Sequence, residues 1–179
     1  ASALDQTYPH VEVIVVDDAS PDGRVREILQ RLEGHPRLKV IYNETILGIS
    51  RTQNRALVAS TGLLIGFLDC DDYLTPDAVE RCVAAWHPGI VYLHTGRINI
   101  DDNDKEVNRI SFEHLPRQDY FAENLERMFA THFKVIRRDA FTKVGLFDPR
   151  FDSAQDYDML MRIAFHYPSG AFLHLPEFV

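Results

Sequence analysis

Two apolar runs in this chain, "VEVIVVDD" at residues 11–18 and "LLIGFLDCDD" at residues 63–72, each stop abruptly in aspartates. Aliphatic residues without polar alternation are the pattern of a strand buried on both faces of a parallel sheet. Parallel strands need crossover connections, and the residues between the two runs supply them. After the turn "ASPDG", the stretch "RVREILQRLEG" places Val25, Ile28, Leu29 and Leu32 on one helical face and closes on Gly34. "LKVIYN" (38–43) reads as the next strand. Ser50 is placed to cap a helix through "RTQNRALVAST", which Gly62 ends. Beyond the third strand, Thr75 at the cap and Pro76 at the first position open a helix through "TPDAVERCVAAW". Three strand–helix pairs in succession predict an α/β domain with a mostly parallel sheet and right-handed crossovers. Ligands bind such sheets beyond the carboxyl ends of the strands, where both acidic clusters fall.

The second half is less regular. "GIVYLHTGRINID" and "EVNRISFEHL" read as two strands around the polar turn "DDNDK". A helix near 118–129 and a strand at "HFKVIRR" follow. A last helix spans about 155–166, with Tyr157, Leu160, Met161, Ala164 and Phe165 on one face. No repeat or linker separates the halves, so residues 1–179 read as one domain.

Charge narrows the partners. With 19 basic against 27 acidic side chains, the net charge of −8 argues against a nucleic-acid polymer or an anionic membrane surface and favours a bound divalent cation. No apolar run approaches the roughly 20 residues that span a bilayer, and the N-terminus lacks the order of a secretion signal. Two cysteines, Cys70 and Cys82, are too few for a disulfide framework and read as reduced thiols in a cytoplasmic setting.

The carboxylates carry the chemistry. Three of them within four positions, Asp69, Asp71 and Asp72, repel one another, at about 1–3 kcal/mol for a pair roughly 5 Å apart near a surface. In an extended chain Asp69 and Asp71 point to the same side and can hold one Mg²⁺ or Mn²⁺ that completes its shell with substrate phosphates; an acidic, solvated loop is the plainer alternative. Asp17 and Asp18 either cap the turn that follows or bind a base or ribose. Asp156, in the first turn of the last helix, is a general base or a favourable N-terminal charge. Asp158 and Arg162, at i and i+4, read as an ion pair. The eight histidines have no metal-ligand spacing, and a lone one such as His132 reads as structural.

Taken in order, "ALDQTYPHVEVIVVDDASPDG", "NETILGISRTQNRALVASTGLLIGFLDCDDYLTPD", "FKVIRRDAFTKVGLFDPRF" and "AQDYDMLMRIA" resemble the family 2 glycosyltransferases of the GT-A fold. The resemblance implies a Rossmann-like three-layer α/β/α domain over residues 1–179, with a nucleotide-binding half at about 1–95 and an acceptor-side half at about 96–179. It also implies an inverting transfer of a sugar from a UDP-, GDP- or dTDP-linked donor to a saccharide, lipid-linked or protein acceptor, with Mn²⁺ or Mg²⁺ on the diphosphate. Asp17, Asp18 and Asn54 would then bind the nucleotide sugar, Asp69 would lie by the ribose and assist the metal, Asp71 would hold the metal, and Asp156 would deprotonate the acceptor hydroxyl. Building a surface polysaccharide or another glycan, in the cytoplasm and at the inner membrane face through a segment outside this sequence, is the expected setting.

Two departures accompany the resemblance. Gln155 stands where the family usually has Glu before the catalytic Asp. The chain also opens at "ASALDQTYP", which resembles the end of the family's first helix, and stops at "LPEFV". Both ends imply a piece of a longer protein without the first strand, which by itself would bind donor poorly. Gln155 also leaves room for a non-catalytic binding or scaffold domain. A third reading, an aspartate-dependent phosphotransfer domain, starts from the "VVDD" and D-x-D patterns. It expects D-x-D on the first strand with Thr or Val two positions later, whereas here the motif is on the third strand and that position is Tyr73.

Overall fold

A computed structural model describes residues 1–111, 119–126 and 132–179. Strand β1 (Val13–Asp17) lies parallel to β2 (Leu38–Tyr42), Val13 opposite Leu38 and Asp17 opposite Tyr42, and helix α1 (Gly23–Leu32) makes the crossover. The Asp22 carboxylate caps α1 by accepting from the Arg24 amide. Helix α2 (Ile49–Ala59) packs on β1 and leads to β3 (Leu64–Phe67) and α3 (Ala78–Ala85).

The remaining strands are β4 (Tyr92–Ile100), β5 (Glu106–Ile110), β6 (Lys134–Arg137) and β7 (Phe172–Phe178). With β3 they form a five-stranded sheet. β6 is antiparallel to both β3 and β4, β5 is antiparallel to β4, and β7 is parallel to β4. The sheet is thus mixed, which corrects the mostly parallel one expected. β3 and β4 do run the same way, as the α3 crossover requires, but β6, the strand read at "HFKVIRR", inserts between them, and no local signal in the sequence announces that placement. The β4–β5 hairpin turns at "DDNDK", where Asp101 accepts from the amides of Asn103 and Lys105 and Asp104 adopts φ 59°.

Helix α4 (Tyr120–Glu126) is the described part of the helix expected near 118–129; residue 118 and residues 127–129 lie outside the described residues, as do 112–115 of the second hairpin strand. Helix α5 (Arg138–Val144) follows β6, and α6 (Gln155–His166) has the bounds that the periodicity gives. Side chains alternate across the central strands. Tyr92 and Ile136 point toward α6 and pack with Met159, Leu160 and Ile163, whereas Leu93 and Val135 point to the other face against Leu74, Ala78 and Cys82 of the α3 region. These are the three layers of an α/β/α fold. Among the described residues no helix is long and apolar enough to cross a membrane.

The pair β1–β2 shares no strand pairing with the larger sheet among the described residues, and Val13–Val16 are half-buried rather than enclosed on both faces. Side chains make the connection instead. The Asn54 amide on α2 donates to the Phe147 carbonyl (2.8 Å) and accepts from the Phe147 amide (2.9 Å). Gln6, 3% exposed, donates to the Thr75 carbonyl and accepts from the Val79 amide, while its own carbonyl accepts from Arg37. Ser50 does not cap α2. The helix starts two residues earlier, at Ile49, Gly48 (φ 85°) is the N-cap, and Asp152 from the distant half accepts from the Ser50 amide at 3.0 Å. A Cβ at Gly48 would run into the Asp152 carboxylate.

Removing the Asn54 side chain leaves two polar groups of the buried Phe147 backbone without their partner. Asn54→Ala is expected to lower the unfolding free energy in urea by about 1–3 kcal/mol, read from the midpoint at unchanged slope.

Candidate active site

The third strand ends at Phe67, and the chain then folds back on itself: the Asp72 amide donates to the Asp69 carbonyl at 3.2 Å. This turn replaces the extended segment that the sequence suggested. Residues three apart now converge, so Asp72 joins Asp69 in place of Asp71. One ligand atom each from Asp69, Asp72 and His132 lies within 4.8 Å of the others, with His132 Nδ1 3.6 Å from Asp72 Oδ2. Asp71 is exposed and outside this group among the described residues. His132 comes from the segment entering β6, and its isolation in the sequence hid its partnership. Two carboxylates and one imidazole form a donor set that suits Mn²⁺ at least as well as Mg²⁺, which favours oxygen ligands alone. Cys70, in the same turn, is an exposed free thiol, whereas burial pushes the Cys82 thiol up to about 12.

Asp17 and Asp18 at the end of β1 are held by the chain itself. Ala19 takes a left-handed conformation (φ 55°), which lets the Ser20 amide reach back to Asp17 Oδ1 at 3.1 Å. Asp18 Oδ1 accepts from the Asn43 side chain (2.6 Å) and the Leu47 amide (2.8 Å), and Oδ2 accepts from the Gly48 amide (2.9 Å). Burial alone would raise the Asp18 pKa; these donors bring it below the ordinary carboxylate value. Asn43, itself bound to Thr52 and to Arg55, completes a polar network between β2 and α2 that the sequence did not single out. Asn54 is not on the rim: both ends of its amide bind the Phe147 backbone.

Asp156 begins α6, as expected for an acid favoured by the helix dipole. Its Oδ2 accepts from Lys134 Nζ at 3.0 Å and its Oδ1 from the Tyr157 amide at 2.8 Å. Burial by itself would raise the Asp156 pKa, but the Lys134 ammonium and the Tyr157 amide carry it below its usual value, so the carboxylate is ionised and able to accept a proton. Burial pushes the phenol of neighbouring Tyr92 up, and the Asp156 charge adds to this. A narrow cavity of about 10 Å³, the room of one water, opens onto Gln53, Phe67, Lys134 and Asp156. Asp158 and Arg162 form the expected pair at 2.7 Å, with Arg162 also donating to the Val144 carbonyl.

The geometry therefore sets a metal-binding candidate at the end of β3 and an ionised carboxylate at the start of α6. β6 joins them, with His132 just before it and Lys134 as its first residue. The same order of elements recurs in known proteins. The sequence model of "Glycosyl transferase family 2" matches residues 1–145. Chondroitin synthase of Escherichia coli is 33% identical over 177 residues, 97% of this chain, and the chain spans 25% of that synthase. TarS of S. aureus superposes with a TM-score of 0.76 at 21% identity, over 98% of this chain and 32% of TarS; TarS 1-349 in complex with UDP-GlcNAc superposes at 0.67 and 20%, over 99% and 54%. The mannosyltransferase PcManGT of Pyrobaculum calidifontis, in complex with GDP-Man and Mn2+, gives 0.67 at 18% identity, over 98% of this chain and 49% of that one. The fold is the GT-A fold, and the chain belongs to glycosyl transferase family 2.

Proposed function

We propose that this chain is the donor-binding and catalytic part of an inverting glycosyltransferase that moves a sugar from a nucleoside diphosphate to an acceptor hydroxyl. The observation that carries the reading is the division of the carboxylates. Asp156 has a protein cation beside it, whereas Asp69 and Asp72 meet only the imidazole of His132 among the described residues, a set suited to an added divalent ion. Mn²⁺ or Mg²⁺ bound by Asp69, Asp72 and His132 would supply positive charge beside the departing diphosphate. Asp156 accepts the acceptor's proton as the new bond forms between the acceptor oxygen and the anomeric carbon and the bond to the diphosphate breaks, so one displacement inverts that carbon. Asp17 and Asp18, held rigidly by backbone donors, order the edge against which the nucleotide sits. Asn54 enters as the joint behind that edge rather than as a donor contact.

UDP-linked sugars are the first donors to try, since TarS 1-349 is known in complex with UDP-GlcNAc; the GDP-Man complex of PcManGT supports the wider class. The relative chondroitin synthase of E. coli, by its name, supports polysaccharide synthesis as the setting. The free thiols of Cys70 and Cys82 suit a reducing, cytoplasmic setting.

Two experiments on the full-length protein test these roles. In calorimetric titration of UDP with and without Mn²⁺, binding should require the metal. Asp72→Asn and His132→Ala should each weaken it by roughly 10–100-fold, and Asp71→Asn should weaken it far less; the opposite order would return the metal to Asp71. Asp156→Asn should leave UDP affinity within about twofold and lower kcat by about 10²–10⁴-fold, the usual share of a general base. Full turnover by this variant would remove Asp156 from the mechanism.

A further inference from the structure

Strand β6 brings a second residue to the reaction centre besides His132. Lys134 pairs in register with Phe67, the last residue of β3, on one side and with His94 of β4 on the other. Its side chain is 11% exposed, against 31% for Asp156. Both line the same narrow cavity, with Phe67, Ile136, Phe147 and Met159 as apolar walls. In such surroundings an ion pair is stronger than at an open surface, and removing one partner leaves the other charge uncompensated. The two contacts on Asp156 are also complementary: Lys134 takes one carboxylate oxygen at 3.0 Å and the Tyr157 amide takes the other at 2.8 Å. Rotation about the carboxylate's terminal bond would break both.

We infer that Lys134 is a positioning residue for the reaction: through Oδ2 it fixes the orientation of the Asp156 carboxylate that receives the acceptor's proton. The inference rests on the reading of Asp156 as base and deepens it. A cation beside a base lowers its proton affinity, a loss for catalysis that a correctly aimed oxygen outweighs, because a misplacement of about 1 Å is enough to cost on the order of 10²-fold in rate. Among the described residues, the charged and titratable neighbours that act on the carboxylate are Lys134 on β6 and the Tyr92 phenol on β4, with Asp158 and Arg162 paired to each other further along α6. Lys134 and His132 are two positions apart in one segment. A shift of that segment therefore moves the base and the metal-binding candidate together.

The test uses the full-length protein, pooled saccharide acceptors, Mn²⁺ and a panel of UDP-, GDP- and dTDP-linked sugars, reading release of the nucleoside diphosphate. Lys134→Met, which keeps most of the length and removes the charge, should lower kcat by about 10²-fold with the donor KM within about twofold, and Lys134→Arg should restore most of the rate. Three results would overturn the inference: wild-type kcat in Lys134→Met, a loss of donor binding in that variant as large as the loss of kcat, or no recovery in Lys134→Arg. Recovery in Lys134→Arg reads the charge even if the Met variant proves unstable in a thermal melt, and a folded, inactive Arg variant counts against it. Asp156→Asn in the same assay separates the two failures. Full activity there sinks the base and this inference with it, as does a wild type that consumes no donor, whereas an inactive Asp156→Asn beside an unaffected Lys134→Met sinks only the role of Lys134.

Discussion

The paired hydrogen bonds between the Asn54 amide and the Phe147 backbone set the frame for the rest of the structure. The two sheets share no strand pairing among the described residues, so no backbone ladder fixes their relative placement. Apolar packing resists separation but is tolerant of sliding, because it has no direction. A side-chain amide that both donates to and accepts from one backbone unit is directional. It is reinforced at the α2 N-terminus by Asp152 and at the other flank by Gln6. Asp17 and Asp18 end a strand of one sheet, whereas Asp69 and Asp72 follow a strand of the other and His132 precedes one. The placement of one group relative to the other is therefore only as fixed as this seam.

The carboxylates divide by what neutralises them. Asp18 is surrounded by amides and the Asn43 side chain, Asp152 accepts from Ser50, and Asp156 has an ammonium. Each of these charges is met by donors within the chain, which at Asp18 and Asp152 tie segments together and at Asp156 hold the carboxylate itself in place. Asp69 and Asp72 instead lie exposed at the turn, with His132 as their close neighbour. A like-charged pair kept together without a protein cation has its natural counterion in solution, which is why the acidic balance of the chain and the position of this turn support the same reading.

Much of this was legible from residue patterns. Unbroken aliphatic runs marked β1 and β3, their terminal aspartates marked the rim, and a 3.6-residue period gave α6 its bounds, with Asp156 in its first turn. The misses share one cause, since each involves residues brought together only by the tertiary fold. β6 inserts between two strands whose crossover reads as adjacent. Asp152 caps a helix that Ser50 marks locally, and His132 reaches Asp72 across the sheet. Two-residue periodicity aims Asp69 and Asp71 the same way only in extended chain, and a single hydrogen bond from the Asp72 amide to the Asp69 carbonyl brings Asp72 beside Asp69 instead. Gln155, which suggested a degenerate site, is buried beside an ionised, doubly bonded Asp156, so the substitution leaves the carboxylate in place.

The turn at Asp69–Asp72 encloses Cys70. Of the two cysteines in the chain, Cys82 is packed away with a thiol too weakly acidic to react at neutral pH, while Cys70 faces solvent. The thiol open to reagents thus lies, along the chain, between the two carboxylates of the metal-binding candidate. A small fluorophore on that sulfur would report from inside this turn without any engineered residue.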